Sequence, residues 1–172
     1  MSSQHYASLV EMAEDSFHRF ASRQRFGTKR DGVWSWTSFA DLATLVDEVR
    51  GGLAALGIHA GDRVAIVSRN STEWAAAAYA TYGLGATFVP TYEAQRPADW
   101  EFILRDCGAS VVFGRSSEIV AALDEMQPRL PALRHVIAVA GSPDDARSLE
   151  ALRRRGRAKP IESVHPESDT VA

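Results

Sequence analysis

Few residues in this chain are of types and spacings that could do chemistry. Its five histidines are His5, His18, His59, His135 and His165. None stands in H-E-x-x-H or another spacing that would put two metal ligands on one helical face. A single cysteine, Cys107, excludes an internal disulfide and a thiolate metal site built by cysteine alone. It precedes the helix-ending type of glycine Gly108, where a lone cysteine is expected as a small buried hydrophobe rather than a nucleophile. Gly83-Leu84-Gly85 opens like a dinucleotide fingerprint, but Phe88 stands where the third glycine belongs. The stretch also runs from helix into strand, whereas a phosphate cradle runs from strand into helix. There is no G-x-x-x-x-G-K-[ST] loop and no G-x-S-x-G elbow. "RRRGRAK" at 153–159 is the one basic run. It could meet phosphates or an anionic membrane surface, but a solvated helix end is the plainer expectation. The expected list of catalytic, cofactor-binding and metal residues is therefore empty.

The elements that would position any chemistry follow from periodicity. Residues 5–21 predict a helix with Leu9, Val10, Ala13, Phe17 and Phe20 on one face. Asp31-Gly32 predicts a hairpin turn, with Trp34 and Trp36 on one strand face. Thr37 is the expected cap of a helix carrying Leu42, Leu45, Val46, Val49 and Leu53. Gly51 and Gly52 interrupt that helix at a cost of roughly 1 kcal/mol each relative to Ala, so a close neighbour is expected there. Strands are expected near 63–68, 86–89 (stopped by Pro90), 110–113 and 135–139. Helices fall between them: "TEWAAAAYATYGL" capped by Asn70 or Ser71, "PADWEFILRDCG" and "SSEIVAALDEMQPRL". This βαβ alternation gives an α/β class: a mostly parallel, doubly wound sheet flanked by helices, preceded by an N-terminal helix and a short hairpin. Residues 141–160 predict a surface helix and loop. Thr170-Val171-Ala172 predicts the start of a further strand.

The totals bound the rest. The chain has 172 residues, about one domain. With 45% apolar and 24% charged residues it has a globular composition, and a net charge of −3 gives no footing for nucleic acid. No apolar run reaches the roughly 18 residues of a membrane span, and the N-terminus lacks a signal-peptide pattern. A cytoplasmic location, with peripheral membrane attachment as a refinement, is the expectation.

One stretch resembles a known family closely: "GIHAGDRVAIVSRNSTEWAAAAYATYGLGATFVPTYEAQRPADWEFILRDCGASVVF". With "WSWTSFADLATLVDEVRGGLAALGI" before it, it is similar to the N-terminal region of the AMP-forming acyl-CoA synthetases. The resemblance covers roughly residues 10 to 140, and its "PTYEA" piece resembles the long-chain fatty acyl members. It implies a two-step reaction. A fatty acid carboxylate attacks ATP to give an acyl-adenylate and pyrophosphate, and coenzyme A then displaces AMP to give a thioester. ATP, Mg²⁺, coenzyme A and the fatty acid are implied for the full-length family, none of them bound by this chain alone.

The resemblance places the family's phosphate loop after a segment like "ESDTVA". Residues 1–172 are thus expected as a partial N-terminal domain ending before that loop. Its parts are the helix and hairpin at 1–36, an α/β core at 37–140, and a charged segment with the start of a strand at 141–172. The chain alone is expected to be inactive, and to expose an apolar sheet face and self-associate. The alternative is a standalone α/β binding module without ligase chemistry.

Overall fold

The structure is a computed structural model that describes residues 5–166. Helix α1 spans Leu9–Arg19, four residues inside the expected start, and is capped by the Ser8 hydroxyl, which accepts from the Glu11 N–H. Val10 and Ala13 are buried as expected, but Leu9 is exposed, because it sits on the first turn and faces a groove. Strands β1 (Gln24–Arg30) and β2 (Val33–Ser38) form an antiparallel hairpin around Asp31-Gly32, both at positive φ.

Helix α2 (Phe39–Ala55) is capped by Ser38 and not by Thr37. The reason is the three-residue spacing to Asp41. Ser38 Oγ accepts from the Asp41 N–H while the Asp41 carboxylate accepts from the Ser38 N–H. Thr37 stays in β2.

The core is a four-stranded parallel sheet in the order β4-β3-β5-β6, built from Thr87–Thr91, Arg63–Val67, Val111–Gly114 and His135–Ala138. Strand β3 comes first in the chain and takes β4 on one side and β5 on the other, which is the doubly wound pattern. Alternate residues of β3 and β5 divide between two cores. Val64, Ile66, Val111 and Phe113 pack with α2, α3 (Thr72–Tyr82) and α6 (Leu149–Ala158). Ala65, Val67 and Val112 pack with α4 (Pro97–Cys107) and α5 (Ser117–Met126). Both faces are therefore covered, and the open apolar sheet face expected from sequence is not found among the described residues. Pro90 does not stop its strand. It pairs with Ile66 inside β4, which its place on the edge of the sheet permits, since that side needs no N–H.

The surface helix expected within 141–160 is α6. Its basic run is largely exposed, as a solvated helix end should be, while Leu149, Leu152 and Gly156 on the opposite face are buried against α2. Here the glycines of α2 find their reason. A Cβ on Gly52 would lie 2.4 Å from the Leu152 carbonyl oxygen, and one on Gly156 would lie 1.8 Å from that of Glu48. The two backbones touch where no side chain fits. Glu48 receives Arg153 at 2.7 Å and Arg157 at 3.0 Å, and Glu150 pairs with both arginines. Arg154 and Arg155 donate to the carbonyls of Pro143 and Ala146. A strap at 160–165 then crosses back over the domain. Arg50 donates to the Ile161 carbonyl, the Val164 N–H donates to the Gly83 carbonyl, and His165 pairs with Glu14. The strand expected at 170–172 lies outside the described residues.

Two predictions follow from this packing. Gly156→Ala should lower stability by about 3 kcal/mol, at the upper end of overpacking costs, and urea unfolding followed by circular dichroism reads it. The second concerns Glu101 on α4, clasped by Arg129 at 2.6 Å and Arg105 at 2.6 Å. The Arg129 hydrogen bonds above all hold its carboxyl down at about 2, against an ordinary 4.5. A depressed acid stabilises the fold above its unfolded pKa and loses that contribution as pH falls through the folded one. The clasp should therefore weaken between about pH 4.5 and 2. A carboxyl NMR titration should place Glu101 near 2, and Arg129→Ala should return it toward 4.5.

Candidate functional site

In an open α/β sheet the ligand crevice lies beyond the carboxyl ends of the strands, at the point where strand order reverses. Here that point is between β3 and β5. Three loops meet there. After β3 come Ser68, Arg69 and Asn70, with Ser71 capping α3 through the Trp74 N–H. After β4 come Tyr92 and Glu93. After β5 comes Arg115, followed by Ser116, which caps α5. Glu93 ties the loops together. Its Oε2 accepts from the Arg69 N–H at 3.1 Å and lies 4.0 Å from Arg115 Nε. Below them the buried Thr91 hydroxyl donates to the Ile66 carbonyl at 2.9 Å, locking β4 to β3.

Beside this crest lies a groove of about 810 Å³ between β1 and α3. Trp74, Tyr79 and Tyr82 give it an aromatic wall, and Arg25, Lys29, Arg69 and Arg115 stand around it. Burial pushes the Tyr82 phenol above its usual range, so it stays neutral at any physiological pH. An apolar wall with several cations suits a ligand with an apolar body and an anionic end. Sequence reasoning missed these residues. They come from α3, from β1 and from two loops far apart in the chain, and only the general rule about strand ends pointed toward them.

The residues weighed from sequence do not converge here. Cys107 is half-buried at the end of α4, and burial raises its thiol pKa. His135 is held neutral by burial and by neighbouring Arg134. His59 is exposed beside Asp62, and His165 is on the strap. Gly83 and Gly85 form the turn from α3 into β4, with Gly85 at positive φ. Among the described residues no group of three histidine, cysteine or acidic side chains is placed to hold a metal ion.

Side-chain caps already occupy first-turn amides of α3 and α5, and α4 starts with Pro97, which has no N–H to offer. Gly114 is the one glycine at the end of a core strand. A Cβ there would meet Val120 at 2.9 Å and Leu123 at 3.1 Å, so its bareness serves the packing of α5.

Fold and crest thus define an α/β sheet domain that can contribute a wall to a ligand cleft. Comparison with known proteins gives the family. The AMP-binding enzyme family matches residues 15–172, and the chain belongs to it. It is 37% identical over 116 residues to the long-chain-fatty-acid–CoA ligase FadD15 of Mycobacterium tuberculosis, covering 67% of this chain and 19% of that protein. It is 23% identical over 161 residues to the long-chain-fatty-acid–CoA ligase ACSBG1 of Bos taurus, covering 91% of this chain and 22% of that one. The chain thus spans about a fifth of the length of these curated relatives. Among solved structures, the anthranilate CoA ligase AuaEII superposes with a TM-score of 0.79 at 22% identity, over 99% of this chain and 31% of that one. The long-chain-fatty-acid–CoA ligase FadD1 of Archaeoglobus fulgidus also gives 0.79, at 18% identity, over 96% and 33%.

A raised thiol pKa leaves less thiolate at neutral pH than a free cysteine has. Cys107 should therefore react with iodoacetamide at pH 7 more slowly than glutathione does, as followed by intact mass.

Proposed function

We propose that this chain is the N-terminal part of a ligase. The ligase activates a long-chain fatty acid with ATP through an acyl-adenylate and passes the acyl group to coenzyme A. The observation that carries this reading is the similarity to FadD15, a long-chain-fatty-acid–CoA ligase, over two thirds of the chain. The strand-end crest supports the second half of the proposal, that residues 1–172 do not catalyse alone. Its loops offer no cradle for a triphosphate, so activation needs residues beyond those described. In this reading the groove beside the crest is one wall of a cleft that the remainder of the ligase completes.

The test is ATP–pyrophosphate exchange. Residues 1–172, given ATP, Mg²⁺ and palmitate, should show no exchange. The longer protein that contains them should show it, and should release AMP when coenzyme A is added. Exchange by the short chain would overturn the proposal of an inactive part. A longer protein active only on short or aromatic acids would overturn the substrate class. The isolated chain is also proposed to self-associate, through the free edge of β4 and the exposed rings of Tyr92 and Phe102. Sedimentation of the same sample at 18.8 kDa only would remove that part.

A further inference from the structure

The strap at 160–165 forms no helix or strand, and within the domain Ser163 alone of its residues is half-buried. Apolar burial therefore does not fix its course. Polar contacts do. Arg50 Nε and Nη2 donate to the Ile161 carbonyl at 3.2 and 2.9 Å, and the Val164 N–H donates to the Gly83 carbonyl at 2.8 Å. Ser163 and His165 both hold Glu14 of α1.

Arg50 is the buried member of this set, at 8% exposure. Burying a guanidinium is costly unless its donors are satisfied. Its ion pair with Asp47 does not account for the burial, because the Asp47 carboxylate is 62% exposed and can be met in solvent. What holds Arg50 inside is the Ile161 carbonyl, 111 residues away in the chain. The planar fork aims two N–H groups at that one oxygen.

Glycines line the path of the strap. A Cβ on Gly83 would lie 3.0 Å from Arg50 Cδ and 3.3 Å from Ser163 Cβ. One on Gly51 would lie 2.8 Å from the Lys159 carbonyl oxygen, and one on Gly85 would lie 3.4 Å from Val164 Cγ2. Gly83 has a φ of −66°, which any residue adopts, so its bareness answers to these neighbours and not to the backbone.

We propose that Arg50 is a positioning residue for the ATP step: by clamping the strap it sets the direction in which the chain leaves this domain for the residues that receive ATP. The proposal rests on the ligase reading, in which activation needs residues beyond those described. Arg50 touches no substrate in it and acts through the Ile161 carbonyl.

Hydrogen exchange on residues 1–172 tests the clamp by itself. The Val164 amide should be protected, and Arg50→Met should speed its exchange about tenfold, as a local opening does, while β3 and β5 keep their protection. ATP–pyrophosphate exchange by the longer protein tests the consequence. Arg50→Met should raise the KM for ATP about tenfold, the scale of a small misplacement, and leave the KM for palmitate within about twofold. A variant that is only less stable lowers the active fraction and moves neither KM, so the split separates positioning from folding. Arg50→Lys keeps a cation and a donor but not the fork, and should recover part of the loss. Gly83→Ala presses on the strap from the other side without removing a charge. It should raise the KM for ATP in the same direction, and it decides the matter if Arg50→Met fails to fold. An unprotected Val164 amide in the unaltered chain, an unchanged KM for ATP in a folded variant, or an equal rise in both KM values overturns the positioning role. An unaltered longer protein without exchange activity would instead overturn the ligase reading, and the positioning role with it.

Discussion

The domain depends on a close contact between α2 and α6 that excludes side chains. A parallel sheet of this kind must bury both faces. On one face α4 and α5 do so alone. On the other, α2 and α3 cover the sheet, and α2 is in turn fixed from outside by α6. Gly51, Gly52 and Gly156 let these two helices approach until backbone meets backbone. The ion pairs around Glu48 are partly exposed, and each such pair contributes only about 0–1 kcal/mol. Burial of Leu149 and Leu152 contributes about 1.5–3 kcal/mol apiece. Apolar packing through the glycine contact therefore decides the docking, and the arginines set its register.

Much of the fold could be read from local pattern because local physics governs it. Ser71, Pro97 and Gly108 mark helix ends through their own backbone chemistry, and the structure uses all three as such. The alternation of apolar runs with helical periods specified the parallel sheet. What could not be read depends on partners distant in sequence. The two glycines of α2 announced a close neighbour, but nothing local said that it would be α6, a hundred residues on. Pro90 looks like a stop until its strand is known to lie on the edge. Ser38 outcompetes Thr37 as a cap because Asp41 lies three residues away from it, a one-residue difference that periodicity does not resolve.

The candidate site was less legible than the fold, for a related reason. A site on a doubly wound sheet is assembled at strand ends, from loops that the topology brings together. Arg69 and Arg115 are 46 residues apart in the chain and meet the same carboxylate, Glu93, because β3 and β5 are neighbours. The residues that invited attention in sequence, Cys107 and the histidines, lie elsewhere. Position relative to the strand ends carried more functional information than residue type.

The two basic segments make the same point about charge. "RRRGRAK" is the denser run and the more conspicuous in sequence, yet its four arginines hold the domain's own carboxylates and carbonyls. The cations of β1 are spaced by neutral residues and form no run. Arg25 lies over the Phe26 ring and Lys29 by the exposed Trp34 indole, without a described carboxylate to pair them. A cation contributes to recognition only to the extent that the fold leaves it unpaired. Arg153 and Arg157, four residues apart on one helical face, reach the same two acids, Glu48 and Glu150, while Arg154 and Arg155 donate to carbonyls. On the two-stranded hairpin no carboxylate pairs with Arg25 or Lys29 among the described residues. The surface potential that a partner meets is thus set by which elements lack an internal partner, and composition alone does not report it.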